Sequence, residues 1–162
     1  MFTTDFLVIG SGIAGLVYAL DVAELGKVTI VSKSNPNEGN TRYAQGGIAG
    51  VSDPEDSIES HVVDTITAGA GLCQKNVVET VVQAGPDSIR FLEQMGVVFD
   101  LASDHKHFSL GKEGGHTHRR IFHAGDSTGA EIQRALYEKA RQHPNIEWIP
   151  DQLAIDLIHR DG

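Results

Sequence analysis

Three glycines at Gly10, Gly12 and Gly15, in the stretch LVIGSGIAGL of residues 7–16, have the spacing of a backbone that receives a diphosphate. In such a G-x-G-x-x-G turn the first glycine permits the tight turn and the second lets a pyrophosphate approach the main chain. The third lets the following helix pack closely on the preceding strand. Amides at the front of that helix carry partial positive charge worth about 0.3–1 kcal/mol toward an anion, so the site needs no lysine. The acid that usually follows about 20 residues later to bind ribose hydroxyls is absent. The second strand ends instead in IVSK, with Ser32 and Lys33. Ser32 can bond a ribose hydroxyl and Lys33 can meet a 2′-phosphate, so the turn alone leaves the cofactor open between a nicotinamide and a flavin dinucleotide.

A second stretch, GNTRYAQGGIAG at residues 39–50, sets the pair Gly46-Gly47 beside hydrogen-bonding side chains at Asn40, Thr41, Arg42 and Gln45. A glycine pair lets backbone N–H groups reach a flat ring and tune its electron affinity, the alternative being a flexible surface loop. A third, GKEGGHTHRR at residues 111–120, surrounds Glu113 with Lys112, His116, His118, Arg119 and Arg120. That local positive charge suits a small dicarboxylate, which arginine grips through paired hydrogen bonds; a solvated charged turn is the other reading. His116 and His118 could begin a zinc site, but no cysteine or third ligand completes one, so no metal is expected.

The elements that must position these groups read as alternating strands and helices. Phe6 to Ile9 is a buried strand, Ile13 to Leu25 a helix stopped by Gly26, and Val28 to Val31 a second strand, giving a βαβ unit over residues 5–32. A glycine- and asparagine-rich loop fills 33–53, and loops of that length are usually functional. In the helical segment 54–96, Asp53 caps a first helix with Pro54 at its opening position. Asn76 to Glu79 reads as a capping box for a second, interrupted at Gly85-Pro86. Residues 97–125 read as short strands and turns, beginning with a strand at Val97 to Phe99. From 126 a helix opens on Thr128 and stops at Pro144, followed by a strand at Ile146 to Ile149 and a half-buried one carrying Leu153, Ile155 and Leu157.

Composition bounds the rest. The chain has 162 residues, 40% of them hydrophobic and 22% charged, as in a globular domain able to bury a core. A net charge of −9 speaks against nucleic-acid binding, and a single cysteine gives no disulfide framework, so the cytoplasm is the expected location. The apolar run near Met1 is too short and too broken by glycine for a membrane span, and Asp5 stands where a signal peptide needs basic charge.

The fragments SGIAGL, SK, NTRYAQGGIAGV and EGGHTHRR, in this order, resemble the flavoprotein family of fumarate reductases and succinate dehydrogenases, and within it the L-aspartate oxidases. The resemblance covers essentially the whole chain and accounts for Ser32-Lys33 in place of the acid. It implies an α/β, doubly wound (Rossmann-like) FAD-binding domain with a parallel sheet, helices on both faces and additional short strands, of which this chain is an N-terminal portion lacking the capping domain. Contacts to FAD would come from Gly10, Ser11, Gly12, Ile13, Ala14, Gly15, Ser32 and Lys33, and from Asn40, Thr41, Arg42, Tyr43, Ala44, Gln45, Gly46 and Gly47. Succinate dehydrogenases bond their flavin covalently through a histidine where this chain has Asn40, so FAD is expected to be held non-covalently. Glu113 matches the acid that orients the substrate. The implied reaction oxidises L-aspartate to iminoaspartate, with O2 or fumarate reoxidising the flavin, in NAD biosynthesis alongside quinolinate synthase. The arginine of acid–base chemistry lies outside the matched stretch, so this portion alone is expected to be inactive.

Overall fold

The structure is a computed structural model describing residues 3–159. The described residues divide into two compact units, one built from the segment up to Tyr43 together with that from Gly129 onward, and the other from Ala44–Thr128.

The first unit is built on a parallel sheet. Strand β1 (Phe6–Ile9) pairs with β2 (Val28–Val31), and β2 pairs with β5 (Ile146–Ile149), in the order β1-β2-β5. Val28, Thr29 and Ile30 are all buried, as a central strand covered on both faces requires, and their β-branched side chains suit the pleat. The crossover is α1 (Ile13–Val22), with Leu16, Ala19 and Val22 buried at helical spacing. It ends three residues before the predicted Leu25. Gly26 lies just beyond, where a Cβ would crowd the Asp5 carboxylate that accepts from the Lys27 amide. Helix α4 (Thr128–Gln142) adds Ile132, Ala135, Leu136 and Ala140 to this core. Trp148 on β5 meets Tyr137 edge-to-face. The predicted strand beyond Asp151 does not form: Leu153, Ile155 and Leu157 are 74%, 90% and 71% exposed, having no neighbouring strand among the described residues to complete their ladder.

In the second unit a two-residue strand β3 (Ile48–Ala49) pairs antiparallel with β4 (Ile121–Phe122). Helices α2 (Ile58–Ala68) and α3 (Lys75–Gln94) pack on each other. The predicted caps are corrected. Asp53 instead closes a turn, accepting from the Glu55 amide, and Ser57 caps α2 by accepting from Ser60 N–H at 3.1 Å. The Asn76–Glu79 capping box does not form either; α3 starts after Gln74, and Glu79 pairs with Lys75 at 2.8 Å. Gly85-Pro86 does not interrupt α3, whose buried Val82, Ile89 and Leu92 span the proline. Val97 and Phe99 are buried with Val98 exposed, the alternation of a strand, though among the described residues the segment belongs to neither sheet. Phe99 joins Phe108 and Phe122 in a cluster of edge-to-face rings.

Candidate functional site

In the first unit the chain leaves β1 through a turn that only glycine fits. Gly10 has φ +106°, and its amide donates to Val31 O at 2.8 Å, holding the turn against the end of β2. A Cβ on Gly15 would lie 2.2 Å from Gly10 O, so the third glycine is required for α1 to lie against the turn. Gly12 precedes α1 with extended backbone and no capping side chain, and the first turn holds no acid to neutralise its field. The Ile13 amide donates to Thr41 Oγ1 at 3.1 Å, which ties the helix front to the loop after β2.

These residues border a cavity of about 400 Å³, within the range of small-molecule sites. Its lining brings together Gly10, Ser11 and Gly12 with Ser32 and Lys33 from the end of β2 and with Asn40 and Thr41 from the loop. Ser32 is buried and its hydroxyl donates to Ser34 O, leaving its oxygen able to accept; Lys33 is exposed. Ile13, Ala14 and Gly15 form the helix front rather than the lining. Arg42 pairs with Glu38, and the Tyr43 hydroxyl donates to the same carboxylate, a hydrogen bond that raises the phenol above its ordinary range. Glu38 also lines the cavity, six residues past the place where the ribose acid is usually found. A turn without room for a Cβ, a helix front without an acid and a lining of small polar groups fit the diphosphate and ribose of a dinucleotide.

The remaining predicted residues belong to the second unit. Ala44, Gln45, Gly46 and Gly47 are exposed. Gly47 has φ +95°, and a Cβ on it would meet Ile121 and the Phe122 carbonyl at 2.5 Å, so this glycine is demanded by the β3–β4 pairing. Glu113 lies exposed in a turn closed by its own carbonyl, which accepts from the His116 amide.

Arg120 makes its contacts inside the second unit. It is fully buried and forked onto Asp56, with Nε and Nη2 donating at 2.8 and 2.7 Å, while Nη1 donates to Asp64 at 2.7 Å. Burial opposes the Asp56 charge, but these bonds outweigh it and hold the carboxyl below its usual range. Asp64 also accepts from the Thr117 amide and hydroxyl, and the amide bond foremost draws its pKa down to about 2. With its donors engaged here, Arg120 orders the 111–120 loop. Arg119 donates to the Leu110 carbonyl, and His118 lies against Asp56 and Ser60. His61 is buried beside His116, and burial, then the Arg120 charge, lowers its pKa. Among the described residues no cluster of three or more potential ligands could hold a metal, and no helix is long and apolar enough to cross a membrane.

Sequence reasoning missed Asp56 and Asp64, which no motif marks. It also missed Glu38 and the buried Gln133, and no motif marks either.

The profile of a family described as FAD binding domain matches residues 5–162. An L-aspartate oxidase of Nicotiana tabacum is 54% identical over 98% of this chain, which spans 24% of that relative. One from Vibrio cholerae is 49% identical over 97% of this chain, which spans 30% of it. The chain therefore spans less than a third of the length of these curated relatives. Among solved structures, an E. coli quinol fumarate reductase superposes with a TM-score of 0.92 at 30% identity, covering 99% of this chain and 28% of its own.

Proposed function

The chain belongs to the FAD binding domain family, and from that premise we propose that it holds FAD non-covalently within a flavoenzyme that oxidises L-aspartate to iminoaspartate. The observation that carries the reading is the glycine turn, closed to any Cβ at Gly15, at the rim of a cavity bounded by Ser32, Lys33, Asn40 and Thr41. Amides of Gly12 and Ala14 would meet the diphosphate, beside the Ile13 amide that holds Thr41, and Ser32 would accept from a ribose hydroxyl. Asn40 offers no nucleophile for a covalent flavin bond. Further along the same loop, Thr41 to Gly47 would supply hydrogen bonds to the ring.

FAD, when bound, supplies the hydride acceptor. The part proposed for this chain's own side chains is selection. Aspartate differs from succinate by an ammonium group, and the Glu113 carboxylate would attract that group and gain nothing from succinate. Reoxidation by O2 or fumarate, consumption of the product by quinolinate synthase, and a cytoplasmic location complete the proposal. The acid–base group would come from the remainder of the enzyme.

FAD added to the complete enzyme should develop bound-flavin absorbance; protection from proteolysis by NADP without flavin uptake would refute the assignment. Glu38 in the lining weighs against NADP, since a carboxylate disfavours a 2′-phosphate. The likeness to quinol fumarate reductase favours a second reading, a fumarate reductase or succinate dehydrogenase flavoprotein. Turnover of succinate in preference to aspartate by the complete enzyme would establish it. Under the first reading, Glu113→Gln in the complete enzyme impairs aspartate oxidation far more than fumarate reduction, and equal losses would remove the role of Glu113.

A further inference from the structure

Gln133 lies on α4 with 1% of its surface exposed. Its Nε2 donates to Ser11 O at 2.9 Å and to Pro36 O at 3.2 Å. Ser11 belongs to the glycine turn and lines the cavity; Pro36 lies between Ser34 and Glu38, which line it from the loop after β2. Two carbonyls can be met only by the NH2 end of a carboxamide, so the orientation of the side chain is fixed by its partners. Both amide hydrogens are then used, and Oε1 is left buried with no partner among the described residues. An unpaired buried acceptor costs desolvation without return. A methionine of the same length would carry no such cost, so what distinguishes glutamine here is the pair of bonds made by Nε2.

We propose that Gln133 is a positioning residue for the dinucleotide, clasping the glycine turn to the Ser34–Glu38 loop and so fixing the width of the cavity between them. The proposal rests on the FAD reading above. Thr41 makes a second tie between the loop and the front of α1, through the Ile13 amide. With both ties in place the binding amides and the loop are preorganised; with one removed, FAD must order the loop as it binds, and affinity falls.

The test is FAD titration of the complete enzyme and its variants, with amide hydrogen exchange measured on the same samples. Gln133→Met should raise the Kd for FAD by at least about tenfold. It should also raise exchange at residues 10–13 and 36–41 while leaving 58–94 unchanged. Gln133→Glu provides an arm that a merely structural role would not move. As a carboxylate it repels both carbonyls, and once protonated it regains one donor, so its affinity for FAD should recover as pH falls, a trend the parent lacks. If Gln133→Met does not fold, this arm decides. A Kd within about twofold of the parent in a folded variant, or Gln133→Glu binding that follows the parent at every pH, overturns the clasp. A parent that takes up no FAD overturns the flavin reading and the clasp with it, so the two failures are distinguishable.

Discussion

At the scale of single residues, the second unit turns on a fully buried guanidinium. Arg120 satisfies Asp56 and Asp64 together, and taking it away leaves two buried carboxylates facing each other. Arg120→Met should therefore cost about 3–5 kcal/mol in urea unfolding. Acid should weaken this unit in two steps. The pKa of His61 is lowered by folding, so the stability it contributes is complete above its unfolded value of 6.5 and is lost as pH falls below that. Asp64, drawn down to about 2 from 3.8, contributes stability that is lost as pH falls through that interval. Tm followed against pH should show both declines, and His61→Phe should abolish only the first. The types of these residues were legible in the sequence, and the charge of the 111–120 segment was evident. Their pairing was not, because Asp56 and Asp64 lie more than fifty residues from Arg120 and no period links them.

At the scale of elements, local signals were read well where backbone geometry decides and poorly where packing does. The glycine turn, β1, β2 and β5 follow from residues that admit few alternatives. Gly15→Ala should abolish FAD binding and unfold the turn, whereas Gly46→Ala, with open space around its Cβ, should leave the fold intact; circular dichroism and flavin titration separate the two. The capping acid was misplaced because Asp53 and Ser57 are both competent, and the chain uses the first for a turn and the second for the helix. Ser57→Ala should lower stability by about 1 kcal/mol in chemical denaturation, several times the effect of Asp53→Ala. Pro86 was read as a break. A proline removes one helical bond, but the apolar face of a helix as long as α3 holds the segments on either side in register.

At the scale of the whole molecule, ligand binding and stability are coupled. A ligand that binds only the folded chain adds RT ln(1 + [L]/Kd), so FAD at about a hundred times its Kd should contribute about 2.7 kcal/mol and raise Tm by several degrees. Differential scanning fluorimetry with and without FAD checks this. The class of fold and the dinucleotide turn could be read from the sequence. The division into two units could not, since no linker composition marks residues 43 and 129. That division bears on how the chain is made. The central strand β2 is translated early, but its neighbour β5 follows more than a hundred residues later, after the entire second unit has been synthesised. On the ribosome, residues 44–128 can collapse while the sheet still lacks one edge. Arrested nascent chains that have emerged from the ribosome as far as about Gln142 should therefore resist protease in the later-encoded unit and be cut in the earlier one, inverting the usual order in which N-terminal sequence folds first.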